Sequence, residues 1–345
     1  MSKPDAPLFR THDLAFRTQY AELKERALQV PHLLPGTPGT LVRREGSGAG
    51  YAYRSYYPVP GSKQKEDLVC RWDDEARLAE ARNDIEFAGW MEKQTSLLRK
   101  IGFQVADKKT ARVLVELHNR GLFTAGLVLV GTLAYTAWLN EFGAFAIAAR
   151  TLDVDLARRG PLKLASRQAF LDTMRATDLP FVPVPGMPSS EPSTTVKLPG
   201  VEGLRVDILA PGKQLGKIIR AKELAWAAQQ IPFYDYLLES PVQAAILAGG
   251  HCVPVIIPQA GRFSCHKLFS AANTQRSREK AEKDLRQAAV LIAALTEADR
   301  QELVSAFDAL PKGMRKAVQA SRKKLQEMLA AHEEAAALLA ELAPG

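Results

Sequence analysis

Apolar residues recur at two different periods along this chain, and the change from one to the other divides it. From about residue 13 to residue 30, Leu14, Ala15, Tyr20, Leu23 and Leu28 fall among charges at near-helical spacing, and Pro31 with Pro35-Gly36-Thr37-Pro38-Gly39 closes the element. Two strand-like runs follow, residues 41–44 and 51–57, on either side of Gly46-Ser47-Gly48-Ala49-Gly50. They predict a β-hairpin with a flexible tip. Residues 73–98, with Leu78, Ile85, Phe87, Trp90 and Leu97, predict one or two helices, and residues 108–121 another that Gly121 ends. Residues 122 to about 257 alternate short apolar strands with helices. Beyond them, residues 284–295, 297–310 and 314–342 return to apolar spacings of three and four, punctuated by Pro311-Lys312-Gly313.

The order of elements predicts an α/β (α+β) protein in three parts. Residues 1–105 form a helical region with a small β element, 106–260 an α/β core, and 261–345 a helical C-terminal region. A length of 345 residues suits two or three domains at roughly 100–200 residues each. Lys and Arg number 46 against 38 Asp and Glu, a formal charge of +8 that favours polyanionic partners such as nucleotides or RNA.

Cys70, Cys252 and Cys265 are too few and too scattered for a disulfide framework or a Cys-X-X-Cys zinc site, which points to a reducing compartment. The segment 1–7 has no apolar core of a signal peptide, and the longest apolar stretch, 122–139, is broken by glycine, threonine and tyrosine. A cytoplasmic protein with no membrane span is the expectation. The six histidines show no pair at metal spacing, and no Gly-X-Ser-X-Gly elbow is present, so zinc and covalent hydrolase chemistry have no support.

Candidate chemistry enters with Thr151-Leu152-Asp153-Val154-Asp155-Leu156. On a strand, Asp153 and Asp155 share one face while Leu152, Val154 and Leu156 turn to the other. A third acid, Asp207, sits in the strand-like run 204–209, and Gly131-Thr132 follows the apolar strand 127–130 and opens a helix. A glycine there lets backbone N–H groups and the helix N-terminus approach a phosphate. Separately these signals are weak, since a lone Asp-X-Asp is more often a solvated turn and a Gly-Thr more often a plain helix start. In this order they suit metal-assisted nucleotidyl transfer, in which several carboxylates converge on Mg²⁺.

In that order the residues resemble the DNA polymerase β-like nucleotidyltransferase superfamily, whose pattern runs apolar strand, Gly-Gly or Gly-Ser, helix, Asp-X-Asp and a third acid. More narrowly, Val130-Gly131-Thr132-Leu133-Ala134-Tyr135, Thr151 to Ala157, His266-Lys267-Leu268 and Lys283-Asp284-Leu285-Arg286-Gln287-Ala288 resemble segments of a bacterial family of largely uncharacterised nucleotidyltransferase-fold proteins. That family also tends to carry an N-terminal β element like residues 41–57. The resemblance implies a mixed sheet with flanking helices and a nucleotidyltransferase core at 106–260. It also implies an NTP as donor, and Mg²⁺ or Mn²⁺ held by Asp153, Asp155 and Asp207 as catalytic residues. Gly131, Thr132 and Lys267 are then the nucleotide-binding residues. Two departures stand out: Thr132 replaces the commoner second glycine or serine, and Gly131 lies 22 residues before Asp153, so 140–149 must extend the helix or its connection.

The acceptor hydroxyl stays open among RNA, in particular a tRNA end, a protein side chain and a small molecule, and relatives in the wider superfamily allow a toxin-like or defence role. A catalytically silent nucleotide- or RNA-binding regulatory protein is the alternative, and the oligomeric state is not legible. Lys267 has a competing reading as a surface lysine beside a packed histidine, at the start of a helix. Arg276, Arg278, Lys280, Lys283 and Arg286 form a basic run, with 276, 280 and 283 on one helix face, that suits a triphosphate or RNA; a solvated face balanced by Glu279, Glu282 and Asp284 is the simpler reading. The tyrosines and arginines of 41–57 suit RNA stacking or packing on a helix, the latter preferred. The Pro/Ser/Thr-rich span 182–195 reads as a surface loop bordering the cleft.

Overall fold

Strand β1 (Arg10–Thr11) and helix α1 (Leu14–Leu28) come first in the computed structural model, which describes residues 6–46, 49–59, 61–147, 151–274 and 276–342. α1 buries Tyr20, Leu23 and Ala27; of the apolar positions read from the spacing, Leu14 and Ala15 instead stay exposed and Leu28 is half-buried. Next come β2 (Thr40–Gly46), β3 (Ala49–Tyr56), β4 (Lys65–Arg71) and the single long helix α2 (Glu75–Lys100). The expected hairpin is thus two strands of a three-stranded antiparallel sheet. β4 is hidden in the sequence because Lys65-Glu66-Asp67 reads as a charged loop until it pairs with β3. Ser47 and Gly48 of the expected tip lie outside the described residues. The arginines of this sheet are matched internally. Arg44 pairs with Glu66 at 2.6 Å and Arg43 with Glu45 at 2.8 Å, while buried Arg54 donates to the carbonyls of Pro35, Thr37 and Pro38.

The middle of the chain runs α3 (Lys108–Asn119), β5 (Leu127–Leu129), α4 (Gly131–Glu141), β6 (Ala144–Phe145), β7 (Asp153–Arg158) and α5 (Phe170–Arg175). It continues through β8 (Val182–Pro183), β9 (Thr195–Lys197), β10 (Arg205–Pro211), β11 (Ile218–Ala221), β12 (Trp226–Ile231), α6 (Tyr234–Leu237), β13 (Val242–Ala248) and β14 (His251–Ile257). The main sheet has the order β11-β12-β10-β7-β5, with β9 also paired to β10 and β8 to β9. β7, β10 and β12 are parallel to their neighbours in that set; β5, β9 and β11 pair antiparallel. From residue 195 to residue 257 the chain is richer in strands than the expected alternation, since only the 3-10 turn Lys222–Leu224 and short α6 interrupt it. The alanine-rich runs of β12 and β13 are drawn into strands by tertiary pairing against their local preference. Gly249 and Gly250, at φ of 52° and 103°, close the two-residue turn between β13 and β14.

Four helices finish the described chain: α7 (Ala260–Ala271), α8 (Arg278–Asp308), α9 (Lys312–Met328) and α10 (Glu333–Leu342). The two helices expected at 284–295 and 297–310 meet at Asp299, whose non-helical backbone (φ −154°, ψ 80°) kinks α8 between them; the first begins earlier, at Arg278. One correction applies here: the pattern at 314–342 divides into α9 and α10. α7 packs along α8, and α8 also meets α4. One buried apolar cluster runs from Phe9 to Leu339. The architecture is mixed α/β with a helical C-terminal region, as the patterning predicts. Among the described residues no helix is long and apolar enough to cross a membrane.

Val154, Leu156, Val206 and Ile208 are all 0% exposed and fasten β7 and β10 to the core. Leu156→Ala is therefore expected to cost about 2–5 kcal/mol in urea denaturation, as for other fully buried leucines. A loss below about 1 kcal/mol would mean that this side of the sheet is not core.

Candidate active site

Parallel pairing of β7 with β10 sets Asp155 beside Asp207 and Asp153 beside Arg205. Alternation along the strands leaves these acids on the side opposite Val154, Leu156, Val206 and Ile208. Asp153 is exposed, whereas Asp155 and Asp207 are partly buried. Asp207 does not stand free: Thr195 Oγ1 donates to its Oδ1, and Arg205 Nη2 lies 3.6 Å from the same oxygen. Thr195 begins β9, so the end of the Pro/Ser/Thr-rich span reaches the acids directly.

Gly131 touches Asp155 from the other side. It has φ +67° at the start of α4, and a Cβ there would come within 1.9 Å of Asp155 Oδ2. Only glycine fits, both for the backbone angle and for the space. The strand beneath is tied to the same residue, since Val130 N donates to the Asp155 carbonyl at 2.9 Å. Thr132 is buried, and its hydroxyl accepts from Lys283 Nζ at 3.4 Å. The extra length before Asp153 extends the connection rather than the helix: α4 ends at Glu141, and β6 pairs with β1. Ala148 and Ala149 of that span lie outside the described residues.

Of these residues, Gly131 and Asp155 line a cavity of about 690 Å³. Its lining also includes the charged residues Lys267, Arg276 and Asp284 and the apolar residues Leu209, Ile231, Phe263 and Phe269. Lys267 is not a surface lysine at a helix start. It sits within α7, 7% exposed, with Nζ 2.9 Å from Asp284 Oδ1. His266 is buried too, facing the Pro232 carbonyl at 3.3 Å. The basic run is likewise no simple solvated helix face: Arg276 precedes α8, and Asp284 is completely buried between Lys267 and Arg276, whose Nη2 is 2.5 Å from Oδ2.

A family model described as nucleotidyltransferase matches residues 108–310, more than half of the chain. The chain belongs to that nucleotidyltransferase family. No curated protein matches it. The nucleotidyltransferase match begins with α3 and ends just beyond α8, so it takes in Gly131, Thr132, Asp153, Asp155, Asp207, Lys267 and Asp284. The three-stranded N-terminal sheet, α9 and α10 lie outside it.

Burial and mutual repulsion act on the paired strand carboxylates. Burial, then the neighbouring charges of Asp207 and Asp153, push the Asp155 carboxyl up to about 6, against the pull of Lys267 and Lys283. Asp207 is raised as well, chiefly by burial, with Thr195 and Arg205 opposing. Among the described residues no three His, Cys, Asp or Glu side chains are already drawn into a metal-holding cluster. The donor set nevertheless fits Mg²⁺, a hard cation bound through one or two carboxylates, waters and substrate phosphates rather than by an all-protein cage. Mn²⁺ takes the same hard oxygen donors. Sequence spacing alone does not reveal Thr195, Arg205 and Asp284 as neighbours of the site, because they arrive from three different elements, β9, β10 and α8.

Two outcomes follow for the chain without a divalent cation. Because the Asp155 carboxyl titrates higher folded than unfolded, the folded state holds the extra proton between about pH 4 and 6, and stability falls as pH rises through that window. Asp155→Asn should therefore be more stable than wild type at pH 7.5 in EDTA by about 1–3 kcal/mol, with the gap closing below pH 4. Equal melting at both pH values would contradict the crowding of these acids. Gly131→Ala, which must place a methyl group on Asp155 at a positive φ, should cost more than about 1 kcal/mol in the same melts.

Proposed function

We propose that the protein transfers a nucleoside monophosphate from an NTP to a hydroxyl acceptor, using Mg²⁺ or Mn²⁺ held by Asp153, Asp155 and Asp207. The observation that carries this reading is the pairing of Asp155 with Asp207 beside Gly131 at the edge of a cavity. When bound, the metal would supply Lewis-acid stabilisation of the charge that builds on the transferring phosphoryl group. Gly131 leaves backbone room for phosphate at the N-terminus of α4. Lys267 and Arg276 add positive charge to the cavity, and its apolar residues Leu209, Ile231, Phe263 and Phe269 offer a dry seat for the base.

The acceptor oxygen attacks the α-phosphorus, forming an O–P bond while the bridging P–O bond to the β-phosphate breaks and pyrophosphate leaves. Asp207 takes the acceptor's proton. A DNA polymerase β-like site of this kind suits a cytoplasmic enzyme acting on RNA, including a tRNA end, and the formal charge of +8 favours such an acceptor over a small neutral one.

Incubation with radiolabelled NTPs, Mg²⁺ and either total RNA or a cell extract is expected to move label onto one acceptor class. Asp207→Asn should lower the rate by about 10²- to 10⁴-fold, the usual worth of a general base, and chelation should abolish it. Labelling that persists undiminished in Asp155→Asn would remove the proposed site.

A further inference from the structure

Asp284 is an unusual carboxylate for a buried position. It is 0% exposed on α8, yet two cations from different segments converge on it: Lys267 from α7 and Arg276 from the α7–α8 connection. A lone buried carboxylate costs several kcal/mol, roughly, and one cation suffices to offset its charge. The second cation is surplus, so the trio keeps a net positive charge. That surplus is directed into the cavity, because Lys267, Arg276 and Asp284 all line it together with Asp155 and Gly131. Lys267 Nζ donates to Oδ1 at 2.9 Å, which fixes an otherwise flexible side chain. Arg276 approaches Oδ2 as an ion pair without hydrogen-bond alignment, and its side chain remains 35% exposed where it lines the cavity. Lys283, one residue before Asp284, adds a further positive charge beside Thr132.

We propose that Asp284 is a positioning residue that holds Lys267 and Arg276 as a two-pronged grip for the β- and γ-phosphates of a nucleoside triphosphate. The grip rests on the transfer reading above and names what that reading leaves open: the site selects for polyphosphate length. A compact ammonium and a planar guanidinium, fixed at separate points, match two successive phosphate groups better than one. A monophosphate, bound through its base and α-phosphate, gains little from them.

Equilibrium dialysis of the full chain with radiolabelled ATP, GTP, CTP and UTP, and then with the monophosphate of whichever binds most tightly, tests this. Asp284→Asn should weaken triphosphate binding by about 10- to 100-fold, the usual worth of a group that orients a ligand-contacting side chain, and leave monophosphate binding nearly unchanged. In turnover it should raise KM for the NTP far more than it lowers kcat, and Asp284→Glu should recover part of the loss. Should Asp284→Asn fail to fold, Arg276→Gln leaves the Lys267–Asp284 pair intact and should show the same selective loss. Equal losses for triphosphate and monophosphate, or unchanged triphosphate binding in either variant, would overturn the grip. A triphosphate preference that depends on Asp284 without label reaching any acceptor would defeat the transfer reading alone. Transfer indifferent to Asp284 and Arg276 would defeat only the grip.

Discussion

Like charges on neighbouring parallel strands repel, and the pairing of Asp155 with Asp207 persists because the reverse sides of β7 and β10 leave no alternative. Val154, Leu156, Val206 and Ile208 are fully buried, and a one-residue slip would turn all of them outward. Hydrophobic burial on one face of the sheet thus holds electrostatic crowding on the other. Cations at the margin temper that crowding without cancelling it: Arg205 lies near Asp207, and Lys267 and Lys283 act on Asp155 from the C-terminal helices. The carboxylates remain short of positive charge, which is the condition under which a divalent cation binds well.

Gly131 connects this crowded face to the cavity. Its missing side chain lets Asp155 lie against the first turn of α4, so the helix N-terminus and the carboxylates address the same space. The α4 terminus, Lys267 and Arg276 bring positive charge to the cavity that Asp155 also lines, and Leu209, Ile231, Phe263 and Phe269 bring apolar surface to it.

The strand-borne half of the site was legible in the sequence because its signals are local. Asp153-Val154-Asp155 alternates with core residues, Gly131 follows an apolar run, and Asp207 lies in a run of the same type. The helical half was legible only in part. Asp284 stands among Lys280, Lys283 and Arg286, where a carboxylate reads as one member of a solvated charge pattern; only packing of α7 along α8 buries it against Lys267. Lys267 is open to a nucleotide-binding reading, through the family resemblance, and to a surface one alike, and only that packing shows it buried. The fold shows the same division. Periodic helices such as α1 and α3 could be read directly, whereas β4, rich in charge, and β12 and β13, rich in alanine, owe their conformation to partners distant in sequence.

Gly131 and Asp284 stand 153 positions apart, with the cavity formed by the chain between and around them. In chain order the acids of β7 and β10 come first, and the cations near them, Lys267 on α7, Arg276 just before α8 and Lys283 on α8, come later. The two helices that follow the strands thus set the charge balance of a face that the strands alone leave negative, and a chain ended before α7 would lack all three of those positive charges.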